Sequence, residues 1–173
     1  MPLLRKPDAR DGARVRDLIA ACPPLDQNSM YCNLLQCTHF SDTCILAERA
    51  GEAIGWISGY RQPAEPSTLF VWQVAVHEDA RGLGLARKML LSLLARPALE
   101  DVAWIKTTIT PENDASRALF RSLADRADAT LRETPGFDQH EHFRGKHPSE
   151  RLVTIGPISR APRGSSIHAR SAA

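Results

Sequence analysis

Apolar and polar positions alternate in two rhythms along this chain. A helical rhythm first appears at Val15, Leu18, Ile19 and Cys22, after Asp11 as a cap and before Pro23-Pro24 as a stop. It returns at Met30, Leu34 and Leu35, with Asp26 or Ser29 as N-cap, and at Leu85, Met89, Leu90, Leu93 and Leu94, closed by Pro97. A last helix is expected from Pro111-Glu-Asn-Asp, capped by Asn113 or Asp114. Its inward face would be Ala115, Ala118, Leu119 and Leu123, and polar residues would continue it toward Glu133. Between these runs lie short apolar, β-branched segments that predict strands at residues 3–5, 43–47, 53–60, 70–76, 102–110, 137–144 and 152–155. Residues 49–52 read as a hairpin turn and residues 63–66 as a loop. The expected order is β-α-α-β-β-β-α-β-α-β-β, with no internal repeat.

The stretch from Val71 to Leu91 organises the rest. An apolar strand runs into a polar turn, a glycine-bearing loop and then a helix. The loop Arg81-Gly82-Leu83-Gly84-Leu85-Ala86 puts small residues where a helix begins. Unpaired N–H groups and the helix dipole there suit a diphosphate, and glycine lets its oxygens approach the main chain. A dinucleotide fingerprint fits less well, since it calls for three glycines near the chain start.

Composition narrows the class. With 173 residues, 43% hydrophobic and 24% charged, one domain with a substantial core is expected over residues 1–155. The net charge is +2, but Arg160, Arg163 and Arg170 sit in a Pro-, Ser- and Gly-rich tail, residues 156–173, expected to be disordered. Without those three arginines the body carries 19 basic against 20 acidic residues, which argues against nucleic acid as the main partner. No run reaches membrane-spanning length and the first residues hold no signal-peptide core, so a cytoplasmic location is expected. Cys22, Cys32, Cys37 and Cys44 form no C-x-x-C pair and read as reduced thiols. No metal site is expected, the spacing of Cys32, Cys37 and His39 being wrong for structural zinc.

The Arg81-x-x-Gly84-x-Ala86 loop resembles the acyl-CoA loop of the GNAT N-acetyltransferases. The later segment Asn113-Asp-Ala-Ser-Arg-Ala-Leu-Phe resembles that family's Asn-x-x-Ala-x-x-Leu-Tyr segment. The resemblance implies a mixed α/β fold with a mostly antiparallel sheet, splayed at its middle, and helices on both faces. It implies acetyl-CoA in the splay, held by Val74, Ala75 and Val76 of the strand, by residues 81–86 of the loop, and by Asn113. One departure stands out. The family often places a tyrosine where this chain has Phe120, so the proton for the departing thiolate must come from elsewhere.

A narrower resemblance is carried by Cys22-Pro-Pro-Leu-Asp-Gln-Asn-Ser-Met-Tyr-Cys-Asn-Leu-Leu-Gln-Cys-Thr-His-Phe, by Gly55-Trp-Ile-Ser-Gly-Tyr and by residues 69–77. These are similar to the L-2,4-diaminobutyrate acetyltransferases, which make the linear precursor of ectoine. The resemblance implies a homodimer and a small zwitterionic substrate with an extra ammonium. Asp26 can hold an ammonium, and Tyr31 and Trp72 can box it. Transfer needs that amine neutral, so a base is required; Asp26, His147 and Glu150 are the candidates. His140 and His142 are expected to be exposed. No nucleophile motif surrounds the cysteines, so direct attack in a ternary complex is expected. Two other readings stay open: a GNAT enzyme for a different small amine, and a non-catalytic acetyl-CoA sensor.

Overall fold

A computed structural model describes residues 1–158. Its order is β1 (Leu3–Arg5), α1 (Gly12–Ala20), α2 (Met30–Thr38), β2 (Ile45–Arg49), β3 (Glu52–Gln62), β4 (Glu65–Val76), α3 (Leu85–Leu94), β5 (Trp104–Ile109), α4 (Asp114–Arg126), β6 (Leu131–Pro135) and β7 (Arg151–Ile155), with four short 3₁₀ turns between them. The strands form one seven-stranded sheet in the order β1-β2-β3-β4-β5-β7-β6. Every neighbouring pair is antiparallel except β4 with β5.

Each face of the sheet has its own core. Val15, Leu18, Ile19 and Cys22 of the α1 segment pack with Cys37, Leu46, Trp56 and Ala75 on one side. On the other, Leu85, Met89, Leu90, Leu93 and Leu94 of α3 join Phe120, Leu123 and Ala124 of α4 over Ile57, Val71, Ile105, Val153 and Ile155. The periodicity predicted the buried face of α3 residue for residue, and that of α1 except for Gly12. For α4 it was half right: Leu123 is buried and Leu119 packs against the core, but Ala115 and Ala118 are exposed while Phe120 and Ala124 are buried.

Two further corrections concern the C-terminal part. The helix does not continue toward Glu133: α4 ends at Arg126, and Leu131–Pro135 is an edge strand whose partner is β7. Residues 137–144 are not a strand but part of the loop between β6 and β7. The hairpin turn at residues 49–52 does form, with Ala50 and Gly51 both at positive φ, as a two-residue loop of mirror-image type requires. The chain stays attached to the sheet past residue 155. Gly156 N–H donates to Thr130 O at 3.0 Å, and Ile158 N–H to Ala103 O at 2.8 Å. The disorder expected for the tail falls, from residue 159 on, outside the described residues.

Two irregularities in β4 create the site. Its parallel pairing with β5 covers only Thr68, Leu69 and Phe70, after which the strands part. From Val71 to Val76 the strand therefore lacks a ladder partner on its β5 side among the described residues. On the β3 side Ser58 pairs with Gln73 and Gly59 with Val71, which leaves Trp72 as an extra residue, a β-bulge.

Candidate active site

The loop expected to hold the diphosphate takes its shape from glycine. Gly82 has φ +73° and Gly84 φ +70°, a left-handed conformation that a side chain resists. A Cβ added at Gly82 would meet nothing within 4 Å, and one at Gly84 only Arg87 Nη2 at 3.6 Å, so the space above the loop is open to a ligand. Gly84 caps α3 with no side-chain hydrogen bond, which leaves the first-turn N–H groups directed at that space. Arg81 turns back, its Nε–H donating to Val76 O at 3.0 Å, and so ties the loop to the end of β4. Asn113, expected to touch acetyl-CoA, uses its side-chain oxygen to cap α4 by accepting from Ser116 N–H at 3.0 Å. Its neighbour Asp114 is the first residue of the helix rather than its cap.

The acceptor side is assembled from three segments. The bulge turns Trp72 out of the sheet. It is 49% exposed, and its ring meets Tyr60 edge-on at a centroid distance of 6.4 Å. Trp72 is thus not a core residue. Gln73, beside it, ties down the segment between α1 and α2: its Nε2 donates to Asp26 O at 2.8 Å, and Asn28 Nδ2 donates to its Oε1 at 3.2 Å. Asp26 is not a helix cap; Ser29 caps α2 by accepting from Cys32 N–H at 3.1 Å. The Asp26 carboxylate is left exposed and stands 3.9 Å from His147 Nε2, so two residues 121 positions apart meet. His147 Nδ1 lies 2.8 Å from Pro148 O. A carbonyl can only accept, so Nδ1 carries the hydrogen and Nε2 of the neutral ring keeps its lone pair on the Asp26 side. Tyr31, in the first turn of α2, is exposed. Glu150 is half-buried just before β7, its N–H donating to Phe137 O at 2.8 Å.

The structure thus brings Asp26 to His147, and ties the backbone of Asp26 to Gln73, the residue after Trp72. Among the described residues, no hydrogen bond, ion pair or ring contact joins Tyr31 or Glu150 to this group. Sequence reasoning overlooked Gln73, Tyr60 and Phe143, the last with its ring tilted against that of His147 at a centroid distance of 4.6 Å. A long polar side chain inside an otherwise apolar strand was the available signal for Gln73. The cysteines do not suit nucleophilic work: burial pushes Cys37 and Cys44 up to about 12 and also raises Cys32.

A strand parted from its parallel neighbour, next to a left-handed glycine loop at a helix start, is the arrangement the GNAT resemblance implies. The model of the acetyltransferase (GNAT) family matches residues 13–124. This chain belongs to the GNAT acetyltransferase family. Among GNAT proteins it is 54% identical over 155 residues to the L-2,4-diaminobutyric acid acetyltransferase of Methylotuvimicrobium alcaliphilum, covering 90% of each chain. It is 46% identical over 156 residues to the enzyme of that name from Halomonas elongata, covering 90% of this chain and 81% of that one. A solved GNAT structure also superposes, with a TM-score of 0.89 and 41% identity, over 93% of this chain and 98% of the other. It is the diaminobutyrate acetyltransferase of Paenibacillus lautus in complex with its substrate L-2,4-diaminobutyric acid and coenzyme A.

Proposed function

We propose that this protein transfers acetyl from acetyl-CoA to the 4-amino group of L-2,4-diaminobutyrate, the step that precedes ring closure to ectoine, by direct attack in a ternary complex. The observation that carries the residue roles is the meeting of His147 with Asp26, on a segment tied to Gln73 next to the bulged Trp72. Asp26 attracts the ammonium, and Tyr31 and Trp72 enclose it. The CoA diphosphate lies on the 81–86 loop, and its pantetheine arm adds to the open side of β4 along Val74, Ala75 and Val76, with Asn113 at the start of α4. An alkyl ammonium has a pKa near 10, so only about 0.1–1% is neutral near pH 7.4, a cost of roughly 3–4 kcal/mol that a base offsets.

His147 is that base, taking the proton on Nε2, while Glu150, three residues on, completes the acidic wall of the pocket. The freed amine attacks the thioester carbonyl. The C–N bond forms as the carbonyl π electrons move to oxygen, and N–H groups of β4 near Val74 stabilise the oxyanion. Collapse breaks the C–S bond. Of the two protons the nitrogen sheds, one leaves through His147 and the other ends on the sulfur by way of water. Phe120, 2% exposed, has no hydroxyl to deliver it. No acyl-enzyme is required, in keeping with the buried, high-pKa thiols of Cys37 and Cys44.

We further assign a homodimer, which the family resemblance implies, and a cytoplasmic location; no helix among the described residues is long and apolar enough to cross a membrane. The decisive test measures thiol release from acetyl-CoA with diaminobutyrate, ornithine, lysine and spermidine side by side, with NMR of the product. Release with diaminobutyrate well ahead of the others, and acetyl on the terminal nitrogen, is expected. Equal kcat/KM with ornithine or lysine overturns the substrate assignment, and no release with any amine favours an acetyl-CoA sensor.

A further inference from the structure

The loop between β6 and β7, residues 136–150, is braced from within. Asp138 Oδ1 accepts from His140 N–H at 2.7 Å and Glu141 N–H at 3.0 Å, while Asp138 N–H donates to His142 Nδ1 at 2.8 Å. Gln139 N–H donates to Ser149 Oγ at 2.8 Å, and Gly136 N–H to Glu150 O at 3.0 Å, closing the loop on itself. Inside this frame runs a file of rings. Phe137 meets His142 at 5.7 Å and Phe143 at 6.1 Å, and Phe143 meets His147 at 4.6 Å with an interplanar angle of 49°. Phe137 and Phe143 belong to neither hydrophobic core. Burial in the fold therefore does not account for two phenylalanines in so polar a loop.

We propose that Phe143 is a positioning residue for the acetyl transfer: its ring holds the plane of the His147 imidazole so that Nε2 faces Asp26 and the acceptor amine. The inference rests on the reading of His147 as the base. An imidazole pivots about two side-chain bonds. The contact from Nδ1 to the adjacent Pro148 carbonyl fixes one edge, at an exposed site where water competes for the same oxygen. A second ring, tilted at 49° against it with centroids 4.6 Å apart, restricts the remaining rotation. The hydrogen bonds of Asp138 and the edge of Phe137 hold Phe143 in place in turn. Small errors in the placement of a catalytic group cost large factors in rate, so Phe143 acts on kcat without touching substrate.

The test is a double-mutant cycle on the full-length protein. Phe143→Leu is expected to lower kcat about tenfold or more with the KM for acetyl-CoA unchanged, and Phe143→Tyr to restore most of the loss. In a His147→Gln background the same Phe143→Leu change should cost less than about twofold, because a residue acting through His147 has nothing left to position. The NMR signals of the His147 ring, shifted by the current of the neighbouring aromatic, should move in Phe143→Leu whether or not the imidazole is the base. A loss from Phe143→Leu that is undiminished in the His147→Gln background overturns the proposal, as does a wild-type kcat with displaced His147 signals. A wild-type kcat for His147→Gln itself overturns the reading of the base, and with it this inference, while the ring signals still report the contact.

Discussion

Trp72 leaves the sheet because β4 has one residue more than β3 at that point, and a side chain at a bulge points where regular alternation would not send it. Half-exposed and touching Tyr60 edge-on, it contributes little to the core and leaves ring surface open for the cation proposed for it. Trp72→Ala is therefore expected to lower kcat/KM for diaminobutyrate about thirtyfold, matching a cation–π contact of about 2 kcal/mol, while the melting temperature shifts by no more than a few degrees. Kinetics and a thermal melt on the same sample check both halves. Asp11 is the opposite kind of residue. It is 1% exposed, and its carboxylate accepts from Arg5 Nη1 and Nη2, each at 2.7 Å, from Arg14 Nη1 at 2.9 Å and from Asp8 N–H at 2.9 Å. Burial pushes its pKa up, but the Arg5 guanidinium and the Asp8 N–H outweigh that and hold it below the usual carboxylate range. A depressed folded-state pKa contributes stability that is fully present above the unfolded value, near 3.9, and is lost as pH falls through the lower folded value. Asp11→Asn should thus cost about 2–4 kcal/mol at pH 7, read as a lower urea midpoint, with the gap to the parent narrowing below about pH 4. A constant gap from pH 7 to pH 3 would mean that the charge contributes nothing.

At the scale of elements, what the sequence discloses follows from the physics of each piece. Helices α1 and α3 have one buried stripe each, so Val15, Leu18, Ile19 and Cys22, and Leu85 to Leu94, were legible from spacing alone. The edge strand β6 was not, because in Leu131-Arg-Glu-Thr-Pro the half-buried positions are Leu131 and Glu133, so the alternation of burial is not written in the hydrophobicity of the sequence. The strand expected at residues 137–144 arose from Phe137 and Phe143, whose rings pack on each other within a loop. The glycine loop was legible because left-handed backbone calls for particular residues. The bulge at Trp72 was not, since a bulge is a relation of register between two strands. Likewise, nothing local in Gln73 reveals that it reaches the segment before α2. That contact makes a prediction about an element: Gln73→Leu frees residues 25–29 from β4, and with them the backbone that carries Asp26. The KM for diaminobutyrate should rise about tenfold, the KM for acetyl-CoA should not change, and the fold should lose only the roughly 1–2 kcal/mol of two partly exposed hydrogen bonds. Steady-state kinetics with each substrate varied in turn separates these outcomes; equal rises in both KM values would place the strap's influence elsewhere.

Across the whole molecule, the sheet is two sub-sheets joined at a short seam. Strands β1 to β4 on one side and β5, β7 and β6 on the other share a strand-to-strand ladder only at Thr68–Phe70 against Trp104–Lys106. Past the seam, the open edge of β4 leads to the glycine loop and the start of α3, so one extended ligand can reach the backbone of both. A ligand that binds this wedge only in the folded state must raise the stability of the entire chain. With CoA at 100 times its Kd, the gain is about 2.7 kcal/mol, or roughly 5–10 °C for a domain of this size. Gly84→Asp sets a carboxylate where the diphosphate is proposed to lie and should abolish that shift at the same CoA concentration. Gly84→Asn, which tolerates left-handed backbone and adds no charge, should keep most of it. Comparing the two variants separates backbone strain from repulsion, because strain lowers the melting temperature without CoA and repulsion removes only its response to CoA. If Gly84→Asp still gains the full shift, the diphosphate does not lie on this loop, and the seam of the sheet is open for some other reason.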